Sequence, residues 1–249
     1  MASWIQQSAA RGILTSRYPR DAASEEEVPP TGRPPLPPAD ASPLPAARSS
    51  CPVGAITDSA VDQGKCIRCA RCVAAGLAFT GTVEAATRSR GDLLRISTGP
   101  APSPLAPPPL APLGRSLHVF LVDVGSCNAC NLEVLALANP YYDSQRLGIF
   151  FTNSPRHADV LLVVGVPTPE MAEPLRRAYE ALPGPKAVVA VGACPISGGA
   201  FAGTAGLAGS LAESVPVDVF VPGCPPTPIA VLDGLLKLNG RDRAARGGR

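Results

Sequence analysis

Residues 117–130 read LHVFLVDVGSCNAC. An apolar run from Leu117 to Val124 meets a Gly-Ser turn, and Cys127 and Cys130 follow with C-x2-C spacing. Two later stretches repeat the plan: KAVVAVGAC (186–194) delivers Cys194, and VPVDVFVPGC (215–224) delivers Cys224. Each reads as strand, tight turn, thiol. In an open parallel α/β sheet the C-terminal strand ends share one edge, where ligands bind at a switch in strand order. Three such turns bring four thiols towards one point. Four thiolates without a histidine suit a 4Fe–4S cluster or a zinc ion.

Outward from this stretch, the chain from residue 116 keeps a β/α rhythm. Strands are predicted at 117–123, 148–152, 159–165, 186–191 and 217–221, and helices at 131–138, 170–182, about 198–212 and 227–239. That alternation gives an α/β domain over 116–240, its sheet mainly parallel with right-handed crossovers. The strands are unbroken Val/Leu/Ile/Phe runs, as a sheet covered on both faces requires.

Before residue 116 the chain changes character. Residues 1–18 read as a short amphipathic helix with Trp4, Ile5, Ile13 and Leu14 on its apolar side, either a frayed end or a helix lying on a membrane surface or a partner. Eight prolines between Pro29 and Pro45 make residues 21–50 an extended segment with no packed element, so 1–50 is an amphipathic segment plus linker. Residues 51–97 carry a second group of cysteines and end in two candidate strands, Ala78–Thr82 and Leu93–Ser97. The seven prolines of 98–115 mark a second linker, and 241–249 is a basic tail.

The 249 residues are 45% hydrophobic but only 4% aromatic, so the core must be Val, Leu and Ala. The net charge of +2 argues neither for nor against nucleic acid, and no nucleic-acid partner is expected. No continuous apolar segment of secretory type or adjacent arginine pair opens the chain, and no run reaches the ~18–20 apolar residues of a spanning helix. A reducing cytosol is the expected setting, where eight thiols read as metal ligands rather than disulfides.

Those eight divide into Cys51, Cys66, Cys69 and Cys72, then Cys127, Cys130, Cys194 and Cys224. Bacterial two-cluster ferredoxins use C-x2-C-x2-C-x3-C-P twice, each fourth cysteine serving the other cluster. Cys51-Pro52 matches the end of a first motif, and Cys66, Cys69 and Cys72 the start of a second. Together they supply the ligands of one 4Fe–4S cluster. The other set is gone: Gly76-Leu77 stands where the second motif would end, and Arg48, Ser49 and Ser50 precede Cys51. The alternatives are a zinc site or an empty remnant. In the later group only Cys127 and Cys130 are close in sequence. Zinc sites usually take two close pairs, so a polynuclear cluster fits better. Gly125, Gly192, Gly198, Gly199 and Gly223 allow close backbone approach there, and Pro195, Pro225 and Pro226 stiffen the loops.

GSCNAC (125–130), SPRHADVLLVVG (154–165), GACPISGGAF (192–201) and PVDVFVPGCPP (216–226) resemble the small subunit of membrane-bound NiFe hydrogenases of the formate hydrogenlyase type, a family related to the 20 kDa subunit of respiratory complex I. The resemblance covers 116–239. It implies a flavodoxin-like domain in which Cys127, Cys130, Cys194 and Cys224 hold the 4Fe–4S cluster proximal to a NiFe site on a large subunit. The complex I subunit has adjacent cysteines in the first motif, whereas here Asn128 and Ala129 intervene, as in the hydrogenases. WI (4–5), GILTSRYP (12–19), CPVGAI (51–56) and GKCIRCARC (64–72) resemble the ferredoxin-like subunit of the same complexes, which implies a fusion with a truncated, one-cluster ferredoxin.

The resemblance further implies an oxidoreductase subunit without a complete active site of its own. Its partners would be a NiFe large subunit and other iron–sulfur and membrane subunits, at the inner face of the cell membrane. Glu133 is either a carboxylate in the first turn of a helix, favoured by its dipole, or, as in the resembling family, part of a proton path. Asp123 is expected to order the cysteine loop, and Arg156 to place charge near the cluster. His157 is not needed as a ligand beside four thiolates. No phosphate loop or dinucleotide fingerprint is present. The rival readings are a complex I-like quinone oxidoreductase subunit and a structural zinc scaffold.

Overall fold

The structure is a computed structural model, and it describes residues 6, 9–10, 12, 15–23, 35, 44–79, 83–96, 107–207 and 210–242. In chain order the first elements are helix α1 (Leu44–Ser50) and strands β1 (Ala60–Asp62) and β2 (Leu94–Ile96). The second half holds β3 (Leu117–Asp123), α2 (Ala129–Leu135), β4 (Ile149–Phe151), β5 (Val160–Val164), α3 (Pro169–Ala181), β6 (Ala187–Val191), α4 (Ala193–Ser197), β7 (Val219–Val221) and α5 (Pro228–Lys237).

Strands β3 to β7 form one sheet in the order β4-β3-β5-β6-β7, every pair parallel. Numbered within the sheet, this is the flavodoxin-like order 2-1-3-4-5. Every residue of β5, β6 and β7 is buried, which explains their unbroken apolar runs. The smaller pair, β1 with β2, is antiparallel.

Helix α5 is buried along its whole length. Tyr18, Val83, Ala86 and Leu110, all from the first half of the chain, belong to the same apolar cluster as its leucines. Its two charged residues are paired internally: Lys237 Nζ lies 2.6 Å from both Asp233 oxygens, and Tyr18 Oη donates to Asp233 Oδ1 at 3.1 Å. Residues 15–20 are tied down beside it. Ser16 N–H donates to the Tyr141 carbonyl at 2.7 Å, and Arg146 donates to the Ser16 and Tyr18 carbonyls.

Several expectations change. Residues 44–50 form α1, with Leu44 and Ala47 buried, where an extended linker was expected; Pro45 sits in the first turn, which tolerates proline, and the apolar surface below holds the helix. Ala78 and Phe79 are not in a strand, and residues 80–82 lie outside the described set. The helix expected at about 198–212 is absent among the described residues. Gly198 takes a left-handed φ of 82° and ends α4, leaving only short 3-10 turns at Gly199–Phe201 and Leu211–Glu213. Of the second proline-rich stretch, residues 107–115 pack against the core: Leu110 is fully buried and its N–H donates to the Leu238 carbonyl at 2.8 Å. Trp4, Ile5, Ile13, Leu14, residues 98–106 and 243–249 lie outside the described residues. Among the described residues no helix is long and apolar enough to cross a membrane.

Candidate metal centres

The parallel sheet delivers three cysteine loops to its C-terminal edge. After β3 the chain is folded back by Asp123, whose carboxylate accepts from Gly125 N–H (2.9 Å), Ser126 N–H (2.8 Å), Ser126 Oγ (2.7 Å) and Asn131 Nδ2 (2.6 Å). Asn128 takes a left-handed φ of 72°, which asparagine tolerates, and α2 begins at the next residue with Cys130 in its first turn. After β6, Gly192 N–H donates to the Val221 carbonyl (2.8 Å) and Ala193 N–H to the Gly223 carbonyl (2.7 Å). These two bonds hold the Cys194 loop against the Cys224 loop. Gly192 has φ 97°, and a Cβ there would stand 2.8 Å from Cys130 Sγ. The Cys130 thiol therefore occupies the space a side chain at 192 would fill, and the first loop meets the second.

The thiols sense one another. Burial pushes Cys130 up to about 12, and the charges of Cys194, Cys224, Cys127 and Glu133 push the same way. Burial, then Cys224 and Cys127, push Cys194 up to about 11. Cys224 is raised by burial and by Cys127, against a lowering by Arg68. A half-enclosed group of mutually repelling thiolates is stabilised by a cationic centre bound among them. Among the described residues no three Cys, His, Asp or Glu side chains converge closely enough to grip a single ion. Zinc holds each thiolate at about 2.3 Å from one centre, whereas a cubane attaches each to a different iron and leaves the sulfurs further apart. Four thiolates in one group suit an iron–sulfur cluster or a zinc ion.

The earlier cysteines form a separate group. Cys51, Cys66, Cys69 and Cys72 line one apolar pocket with Val53, Ile56, Val61, Ile67 and Phe79. Two backbone donors already point at sulfur: Ala55 N–H to Cys51 Sγ at 3.2 Å and Arg68 N–H to Cys66 Sγ at 3.4 Å. Bonds of this kind stabilise thiolates and tune a bound cluster. Arg68 and Ala70 both have left-handed φ (54° and 61°), so the CIRCARC loop curls around the pocket. Non-glycine residues in this region are costly and gather at ligand sites. Burial pushes Cys66 up to about 11, partly offset by the Arg68 N–H and guanidinium, while Cys72 and Cys51 push it up. Cys72 is raised by burial and by Cys69 and Cys51. The eight thiols thus fall into the two groups read from the sequence, and all are free.

Other residues sit differently from expectation. Glu133 is the fifth residue of α2, because the helix starts at Ala129, so it stands in the second turn and the helix dipole does not explain it. It is half-buried, its pKa is raised by that burial, and its charge reaches Cys130. Arg156 and His157 lie in a 3-10 turn before β5 and are exposed. Residues that precede a parallel strand lie at the N-terminal edge, opposite the cysteines, so Arg156 does not supply charge to them. Arg68 does. Its Nη2 donates to the Pro222 carbonyl at 2.9 Å, two residues before Cys224. The signal in the sequence was its place inside C-x2-C.

Residues 127–238 match the family described as NADH ubiquinone oxidoreductase, 20 Kd subunit. The chain is 48% identical over 124 residues to the probable membrane-bound hydrogenase subunit mbhJ of Pyrococcus furiosus, covering 50% of this chain and 74% of that protein. It is 46% identical over 125 residues to formate hydrogenlyase subunit 7 of Escherichia coli, covering 50% of this chain and 49% of that protein. Among solved structures, the membrane-bound sulfane sulfur reductase, an archaeal respiratory membrane complex, matches 53% of this chain and 76% of its own at 35% identity, with a TM-score of 0.44. The chain belongs to the family of the NADH ubiquinone oxidoreductase 20 kDa subunit, together with these hydrogenase and formate hydrogenlyase subunits.

Proposed function

We propose that this chain is an electron-relay subunit of a membrane-associated NiFe hydrogenase complex. Cys127, Cys130, Cys194 and Cys224 would hold one 4Fe–4S cluster, and Cys51, Cys66, Cys69 and Cys72 a second, on a half-ferredoxin unit fused ahead of the α/β domain. The observation that carries this reading is the meeting of three loops at one sheet edge, where burial and the neighbouring thiols raise the proton affinity of Cys130, Cys194 and Cys224 around a glycine cradle. Such a cluster, when bound, supplies one-electron transfer.

This chain's residues do the holding and the insulating. Gly192 lets Cys130 lie flush against the backbone, and Asp123 fixes the loop that carries Cys127. Ala55 N–H donates to Cys51 Sγ and Arg68 N–H to Cys66 Sγ in the second pocket. Glu133, half-buried and near Cys130, is the candidate to accept and release protons beside the first cluster. The NiFe site would belong to a large-subunit partner, with the whole complex interconverting two protons and two electrons with H2. Peripheral attachment to the inner membrane face, through other subunits of the complex, belongs to the same reading.

Anaerobic purification with iron and acid-labile sulfide analysis tests it. About eight irons per chain and two reduced 4Fe–4S EPR signals are expected; fewer than four irons would end the reading. A quinone reductase subunit is the second reading, favoured by the name of the matched family. The neighbouring large subunit distinguishes the two: two C-x2-C pairs for nickel mark the hydrogenase. A colourless, zinc-loaded, folded chain would instead mark a scaffold.

A further inference from the structure

Two polar ties join the cysteine loops of the two halves. Ser197 Oγ, three residues after Cys194, donates to the carbonyl of Gly64, two residues before Cys66, at 2.9 Å. Arg68, between Cys66 and Cys69, reaches across to the Pro222 carbonyl at 2.9 Å, two residues before Cys224. Its backbone N–H meanwhile donates to Cys66 Sγ. Arg68 makes both contacts from a left-handed backbone, with φ 54°. The side chain is half-buried, yet both cysteine groups act on it: Cys66 and Cys224 each favour its charged form against the pull of burial.

Resting on the two-cluster reading above, we propose that Arg68 is a positive charge shared by both cysteine sites, which braces one loop against the other and raises the reduction potential of both clusters. Guanidinium suits this place. It stays protonated in half-buried surroundings where an ammonium would more readily lose its proton, and its planar fork can bind a carbonyl while facing sulfur. Reduction adds a negative charge to a cluster, so a fixed cation nearby stabilises the reduced form and lifts the potential. One cation within reach of both sites lifts both, so the step between them changes less than either potential.

The test is redox titration of the full chain, cluster-loaded under anaerobic conditions and followed by EPR. Arg68→Met, which removes the charge and keeps the length, is expected to lower both midpoint potentials. Arg68→Lys, which keeps the charge, is expected to leave them near the unsubstituted values. Arg156→Met, at the opposite sheet edge, is expected to move neither. A latch without electrostatic action would leave the Met variant's potentials unchanged, or shift one alone, and that result overturns the proposal. Should the Met variant lose iron, the unsubstituted chain still decides. Two clusters flanking one side chain must broaden each other's EPR signals when both are reduced, and unbroadened signals refute the arrangement. An unsubstituted chain with no cluster signals would instead bring down the two-cluster reading itself.

Discussion

Asp123 shows what a single carboxylate does for the first centre. Burial alone would raise its pKa, but hydrogen bonds from Ser126, Gly125 and Asn131 outweigh that and hold it below the ordinary carboxylate value. A lowered pKa in the folded state gives stability that is fully present above the unfolded value of about 4 and lost as pH falls through the folded value. Asp123→Asn is therefore expected to flatten the acid limb of the stability curve and to cost about 1 kcal/mol at neutral pH, a small figure because the site is open to solvent. Urea midpoints from neutral to about pH 3 check both. Gly192→Ala acts more sharply. Its Cβ would meet Cys130 Sγ at 2.8 Å on a backbone with φ 97°. A loss of about 1–3 kcal/mol is expected, along with the iron of the first site, while the second keeps its EPR signal.

At the level of elements, the strands were legible and the punctuation between them was not. All five parallel strands fall where the Val-rich runs predicted, because buried parallel strands have no polar face to confuse the reading. The helix expected at about 198–212 continued the β/α rhythm, and left-handed Gly198 stopped it at its first residue. Glu133 was misjudged because α2 starts inside the C-x2-C motif rather than after it. The grouping of the cysteines was legible in their spacing, whereas the tie from Arg68 to Pro222 was not, since the two are remote in sequence. Helix α5 carries its own prediction. Asp233 and Lys237 form a buried pair four residues apart. Lys237→Met leaves the carboxylate buried beside Tyr18 without its cation and is expected to cost about 3–5 kcal/mol by urea unfolding.

Across the whole molecule, the first half of the chain does more than precede the α/β domain. Tyr18, residues 83–87 and Leu110 roof α5, and Ser197 and Arg68 seam the cysteine loops together. In the proposed two-cluster arrangement the two centres use separate ligands. Cys194→Ser is expected to remove about half of the iron and leave the second signal, and Cys66→Ser to do the reverse, read by iron analysis and EPR. Loss of both signals from either change would show that the sites stand or fall together.

Residue 87 closes one further gap. The Thr87 N–H donates to the Phe220 carbonyl at 2.9 Å and the Phe220 N–H to the Thr87 carbonyl at 2.8 Å, along the outer rim of β7, the last strand of the sheet. A bare terminal strand is a template for pairing with other chains. The segment ahead of the α/β domain thus plugs its own sheet at the point where strangers would stick. A version trimmed to its α/β half would expose that rim and self-associate, so the leading segment guards solubility as well as packing against the core.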